Sequence, residues 1–132
     1  MKSPNLYIYG SGGHGQVVAD IARSVGYQNI SFLDDAHGRK FDEHLPKGDI
    51  IVAVGDNAVR ERLGRKVTAA RFRLVSLVHP SAVISPDVIL GNGVVVMPLA
   101  VINAGACVNE GAIINTAAVV EHDCVLGNEV VL

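Results

Sequence analysis

Two different hydrophobic periods divide this chain. From Val78 to Val131 it can be cut into nine gapless hexads: VHPSAV, ISPDVI, LGNGVV, VMPLAV, INAGAC, VNEGAI, INTAAV, VEHDCV and LGNEVV. Each opens on Val, Ile or Leu, and the fifth place holds only Ala, Val or Cys. Helices repeat a buried face about every 3.6 residues and strands every 2, so a period of six belongs to neither. It suits one short flat face plus one corner of a coiled solenoid, with three hexads to a triangular turn. Places five, six and one then form a short strand in which five and one point inward and six points outward. A large aliphatic beside a small one fits a narrow prism, and Ala82, Ala100, Ala106, Ala112, Ala118 and Cys124 are the small partners. The outward place reads Val83, Ile89, Val95, Val101, Cys107, Ile113, Val119, Val125 and Val131, as apolar as the interior. Water does not tolerate such a stripe, so other copies of the solenoid are expected to cover part of it, most simply in a homotrimer.

The chain before Val78 carries strand and helix periods in alternation. Asn5–Tyr9 is predicted as a strand, Gly10–Gly15 as a turn, Gln16–Tyr27 as an amphipathic helix, and Asn29–Leu33 as a second strand leading to Asp34 and Asp35. A polar loop follows, then a strand over Asp49–Val54, a helix over Asn57–Arg71 and a last strand over Arg73–Val78. Strands alternating with helices imply a parallel α/β sheet. Val17, Val18, Ile21 and Ala22 predict a broad apolar stripe on the first helix, whereas Arg60, Glu61, Arg62, Arg65 and Lys66 predict a solvated outer face on the second. The change of period assigns residues 1–77 to one domain and 78–132 to another.

Composition narrows the function classes. A formal charge of −2 and a pI near 6.2 leave no basic footprint for nucleic acid or an anionic membrane. No apolar run approaches the roughly 20 residues that span a bilayer, and MKSPNLYIYG does not read as a signal peptide, so the cytoplasm is the expected compartment. Cys107 and Cys124 occupy an outward and an inward place, which argues against a disulfide. Neither Cys nor His pairs with acids at ligand spacing, so no metal site is expected.

Gly10, Gly12 and Gly15 have the G-x-G-x-x-G spacing between a strand and a helix, with an acid pair about 20 residues on. Backbone amides and the helix N-terminus there can cradle a phosphate, and Asp34 or Asp35 can hold a hydroxyl or a base edge. A tight glycine turn without a ligand is the plainer alternative. About 77 residues leave room for one mononucleotide half, which favours a nucleotide diphosphate over NAD.

Read in order, YIYGSGGHG, FLDD, AVGDNAVR, LVHPSAVIS and IINTAAVVEHDCVLG span nearly the whole chain. Together they resemble the bacterial nucleotide-sugar acetyltransferases that act on amino sugars, including the bacillosamine-pathway enzymes, with sialic acid O-acetyltransferases as relatives. The resemblance implies a Rossmann-like domain binding a UDP-4-amino-4,6-dideoxy sugar, a left-handed parallel β-helix of hexapeptide repeats, a trimer, and acetyl-coenzyme A (acetyl-CoA) as co-substrate. Carried over position by position, it implies that Gly12, Gly13, His14, Asp34, Asp35 and Gly55 contact the UDP-sugar. It makes His122 the catalytic base, Asp123 the acid that raises its basicity, and Asn115 a neighbour of the sugar amine. Family members continue for several more coils, so this chain reads as shortened, and Val131 stands where some members place a coenzyme-contacting histidine.

The chemistry suits these roles. Acetyl transfer to an amine needs a proton acceptor as the tetrahedral intermediate forms, and histidine titrates in the working range. The plainer alternative for His122 is a solvated corner residue, which is also the reading for Glu121; His37, His44 and His79 read as loop residues. Two other functions use the same features: an NAD-dependent oxidoreductase, which would need a second nucleotide-binding half, and a non-catalytic trimerisation module whose small domain senses a nucleotide.

Overall fold

The structure, a computed structural model, describes residues 5–132. The chain divides into two compact units, one ending at Val75 and the other spanning Ser76–Leu132. In the first, β1 (Asn5–Tyr9), α1 (Gly13–Ser24), β2 (Asn29–Leu33), β3 (Asp49–Val52), α2 (Asn57–Ala69) and β4 (Arg73–Leu74) follow one another. The strands form a parallel sheet in the order β2-β1-β3-β4. Because β2 and β3 flank β1, the chain leaves β1 to one side and comes back on the other. In open α/β sheets that reversal opens a crevice at the carboxyl ends of the strands. All four residues of β3 are buried, the near-continuous apolar run expected of a central parallel strand. Its one charge, Asp49, accepts the Tyr27 hydroxyl at 2.7 Å.

Several boundaries and exposures differ from the sequence reading. Helix α1 begins at Gly13 rather than Gln16 because the glycine loop is itself the first turn, with the Gln16 amide donating to Gly12 O at 3.1 Å. It ends at Ser24, and Val17 on the predicted stripe is 40% exposed while Val18, Ala19, Ile21 and Ala22 are buried. Helix α2 stops at Ala69, ahead of Arg71 at φ 70°. Arg60, expected on the solvated face, is only 2% exposed. Its guanidinium turns inward to donate to Val54 O, Gly55 O and Asn57 Oδ1 at 2.8–3.1 Å. The strand expected over Arg73–Val78 is two: β4 ends the first sheet, and β5 (Leu77–Val78) starts the solenoid.

The second unit is a parallel β-helix. Strands β5, β6 (Val83–Ile84), β7 (Ile89–Leu90), β8 (Val95–Val96), β9 (Val101–Ile102), β10 (Cys107–Val108), β11 (Ile113–Ile114), β12 (Val119–Val120) and β13 (Val125–Leu126) each cover places six and one. They stack into three parallel sheets, β5-β8-β11, β6-β9-β12 and β7-β10-β13. Ile102 pairs with Ile84 on one side and Val120 on the other, a step of three hexads each way. The core holds Val94, Val96, Ala100, Ile102, Ala106, Val108, Ala112, Ile114 and Val120, all from places one and five.

The corners turn at place four. Gly93, Leu99, Gly105, Gly111, Ala117, Asp123 and Glu129 all have φ between 59° and 74°. At several of these corners the place-five amide donates back to the place-two carbonyl, as from Ala118 to Asn115 at 3.1 Å, which closes a turn with positive φ at its third residue. For a residue with a Cβ this costs about 1–2 kcal/mol, and the ladder of coil-to-coil hydrogen bonds offsets it.

Place six is not one uniform stripe. Val83, Ile89, Val119 and Val125 are 50–69% exposed, but Val95 and Ile113 are at most 3% exposed within this single chain. On the face built on β5, β8 and β11, Val95 and Ile113 stay outside the prism core, as place six is expected to, but are covered without a second copy. Cys124, expected inside, is exposed, and both cysteines are free.

Candidate active site

In the α/β unit the three spaced glycines do different work. A Cβ on Gly10, at φ 133°, would overlap Ala53 O, and one on Gly15 would overlap Gly10 O, so these two let strand, loop and helix close on one another. Gly12, Gly13 and Gly55 instead face open space. Gly12 is the N-cap of α1 and no side chain caps the helix there, so first-turn amides remain for an incoming anion. The His14 ring is half-buried in this loop, and its Nε2 has no hydrogen-bond partner among the described residues. Burial, reinforced by the Arg60 guanidinium, holds its pKa below the ordinary value, so the ring is neutral at pH 7.

The acid pair follows Leu33 at the carboxyl end of β2, beside the glycine loop. Asp34 accepts Ser11 Oγ at 2.5 Å and the amides of Ala36 and His37 at 3.0 Å, which depresses its pKa to about 2. Asp35 accepts the Tyr9 hydroxyl at 2.5 Å and the Phe41 amide at 2.9 Å. Burial pushes Asp35 up, but those bonds and Lys66 Nζ at 3.8 Å outweigh it, and its pKa is lowered. Both acids are thus ionised and fixed before any ligand arrives. Beside them lies a pocket of about 200 Å³ lined by Tyr9, Asp35, Val54, Arg62 and Leu63 among others.

In the β-helix unit, His122 and Asp123 occupy places three and four of the corner between β12 and β13. Asp123 has φ 59°, a conformation that Asp tolerates better than most residues. This backbone brings Oδ2 to 3.0 Å from His122 Nδ1. The hydrogen bond, then the charge of Asp123, raises the His122 pKa above its ordinary value, and Glu121 adds to the effect. Both side chains are exposed, leaving Nε2 open to a substrate. Asn115 lies at the preceding corner of the same coil, on an edge different from that of His122. No group of three or more His, Cys, Asp or Glu able to hold a metal occurs among the described residues, and no helix there is long and apolar enough to cross a membrane.

Comparison with known proteins shows what this chain is similar to. The PglD N-terminal domain family matches residues 5–67. The acetyltransferase domain of PglB from Neisseria gonorrhoeae is similar at 40% identity and a TM-score of 0.90, over 98% of this chain and 70% of that one. This chain belongs to the bacterial nucleotide-amino-sugar acetyltransferases. The same Neisseria domain has been solved with acetyl coenzyme A (39% identity, 97% and 69% covered, TM-score 0.87). PerB from Caulobacter crescentus, solved with CoA and GDP-perosamine, is 40% identical over 96% of this chain and 67% of that one, at a TM-score of 0.86. The UDP-N-acetylbacillosamine N-acetyltransferase of Bacillus subtilis is 32% identical over an alignment 104 residues long that covers 66% of this chain. The chain spans about half the length of that curated relative, 48%.

For a member of this family, the sequence reading overlooked the residues that hold the acids. Ser11 and Tyr9 fix Asp34 and Asp35, and their closeness to the glycine motif was the available signal. Arg60 clamps the loop after β3, and nothing in a charged helix face announced that it would turn inward.

Proposed function

We propose that this chain carries the sugar-binding and proton-transfer parts of an acetyl-CoA-dependent N-acetyltransferase acting on a nucleotide-linked amino sugar. The observation that carries the reading is the 3.0 Å His122–Asp123 pair on the β-helix of a chain 40% identical to an acetyltransferase domain. The amine nitrogen attacks the thioester carbonyl and passes a proton to His122 Nε2 as the tetrahedral intermediate forms. Collapse breaks the C–S bond, and the departing thiolate takes that proton back from the imidazolium. Asp123 keeps Nδ1 as the donor nitrogen, so that Nε2 presents its lone pair, and stabilises the cation once formed.

The α/β unit supplies the nucleotide subsite in this reading. Gly12, Gly13 and His14 take the diphosphate at the N-terminus of α1, Gly55 borders the crevice, and Asp34 with Asp35 take the nucleoside. We favour UDP, as in the name of the Bacillus relative, over the GDP carried by the PerB substrate, and the smaller base suits the 200 Å³ pocket. Asn115 lies near the sugar amine. The exposed pairs Val83 with Val119 and Ile89 with Val125 support assembly of three copies through two of the prism faces.

Incubation with acetyl-CoA and a panel of UDP- and GDP-linked amino sugars, read by mass spectrometry, tests the activity. One acetyl group added to a UDP-linked amine is the expected result. Acetylation of GDP sugars alone removes the base assignment, and acetyl transfer only to hydroxyls removes the N-acetyltransferase reading. Light scattering at micromolar protein tests the trimer, and a monomer refutes it.

A further inference from the structure

The corner that carries His122 is the top of a column in which each coil places one residue at place four: Asp87, then Gly105, then Asp123. Asp87 Oδ1 accepts the Gly105 amide at 3.0 Å. The Asp123 amide in turn donates to Ala104 O at 2.9 Å, seating the catalytic coil directly on the Gly105 corner. A Cβ built on Gly105 would overlap Asp123 Oδ1 and stand 3.2 Å from its Cγ, while Asp123 Cα, at 3.8 Å, is in ordinary contact. The atoms that would have to yield are thus the carboxylate, not the backbone. The carboxylate that leans on Gly105 through Oδ1 is the one that holds His122 Nδ1 through Oδ2.

We propose that Gly105 is a positioning residue for the His122–Asp123 pair: the space left by its missing side chain is the seat of the Asp123 carboxylate, and Asp87 fixes that seat from the coil below. The inference rests on the reading of His122 as the base. Gly105 touches no reacting atom and acts only through Asp123. Its φ of 74° also disfavours any larger residue, so backbone strain has to be separated from the loss of the seat. The corner at Gly111 supplies the control. It has φ 73° at the same place of its hexad, and a Cβ there would overlap the carboxylate of Glu129, leaving Asp123 untouched.

The experiment is a ¹H–¹³C NMR titration of the His122 ring in the full chain. Gly105→Ala is expected to lower the His122 pKa toward that of Asp123→Asn, whereas Gly111→Ala leaves it at the wild-type value, with Glu121 still contributing in all of them. Asp87→Ala shifts it in the same direction by less, and Asp87→Asn, which keeps the Oδ1 acceptor, restores it. If Gly105→Ala does not fold, the Asp87 pair decides. An unchanged His122 pKa in Gly105→Ala, equal shifts in Gly105→Ala and Gly111→Ala, or no difference between Asp87→Ala and Asp87→Asn overturns the proposal. The titration is independent of turnover: full acetylation by His122→Ala would end the base assignment and leave the coupling result standing.

Discussion

Replacing Ile114 with Ala tests the inward and outward assignment that underlies the β-helix. Ile114 is fully buried at place one, paired with Val96 in the coil below and packed in the prism core. Three carbons leave the core, and at about 0.8 kcal/mol per methylene the transfer loss is about 2.4 kcal/mol. A prism held by coil-to-coil hydrogen bonds cannot collapse onto the void, so a cavity penalty brings the total to about 3–4 kcal/mol. Leu99→Ala, at a corner place that is 62% exposed, should cost about 0.5 kcal/mol or less. Urea unfolding read from amide NMR signals of the β-helix is the assay, because two compact units need not unfold together. A cost below about 1 kcal/mol for Ile114→Ala, or equal costs for the two variants, would refute the packing argument.

Other predictions follow from the charges and the glycines. Asp123→Asn removes the charge that helps to raise the His122 pKa and leaves only a neutral acceptor opposite Nδ1, so the acidic limb of the pH–rate profile, set by the neutral imidazole, should move to lower pH and the plateau should fall; a limb that stays put contradicts the pairing. His14 has a depressed pKa, so below its unfolded value near 6.5 the unfolded chain binds more protons and stability should decline as the pH drops. His14→Gln should flatten that decline in thermal melts between about pH 7 and 5. Asp34, held at about 2, contributes stability that is present above its unfolded value and lost as pH falls through about 2; Ser11→Ala should move that loss to higher pH in an acid titration. Gly10→Ala should destabilise the α/β unit by about 2 kcal/mol or more in urea, since its Cβ would meet the backbone of Ala53 and its φ is positive.

Much of this was legible in the residues because it is local. A large aliphatic at place one and Ala, Val or Cys at place five state the interior of the prism outright, and the glycine spacing announced the turn before α1. What escaped depends on partners distant in sequence. Place six looks alike in Val95 and Val125, yet one is buried and the other 69% exposed, a difference set by what lies outside the hexad. Gly93, Gly105 and Gly111 could have signalled left-handed corners and were not read so, and Leu99, Ala117, Asp123 and Glu129 adopt the same conformation with no glycine to signal it. Arg60 was misjudged because the carbonyls of Val54 and Gly55, not its own helix face, decide where the guanidinium points. The Asp87–Gly105–Asp123 column is visible only once three hexads are known to make one coil.

The most direct test of the account is the rate of amine acetylation by His122→Ala beside the unsubstituted chain, with the same nucleotide-linked amino sugar and acetyl-CoA. Loss of the general base predicts a fall of about 10²–10⁴-fold with both proteins folded. Equal rates would contradict it.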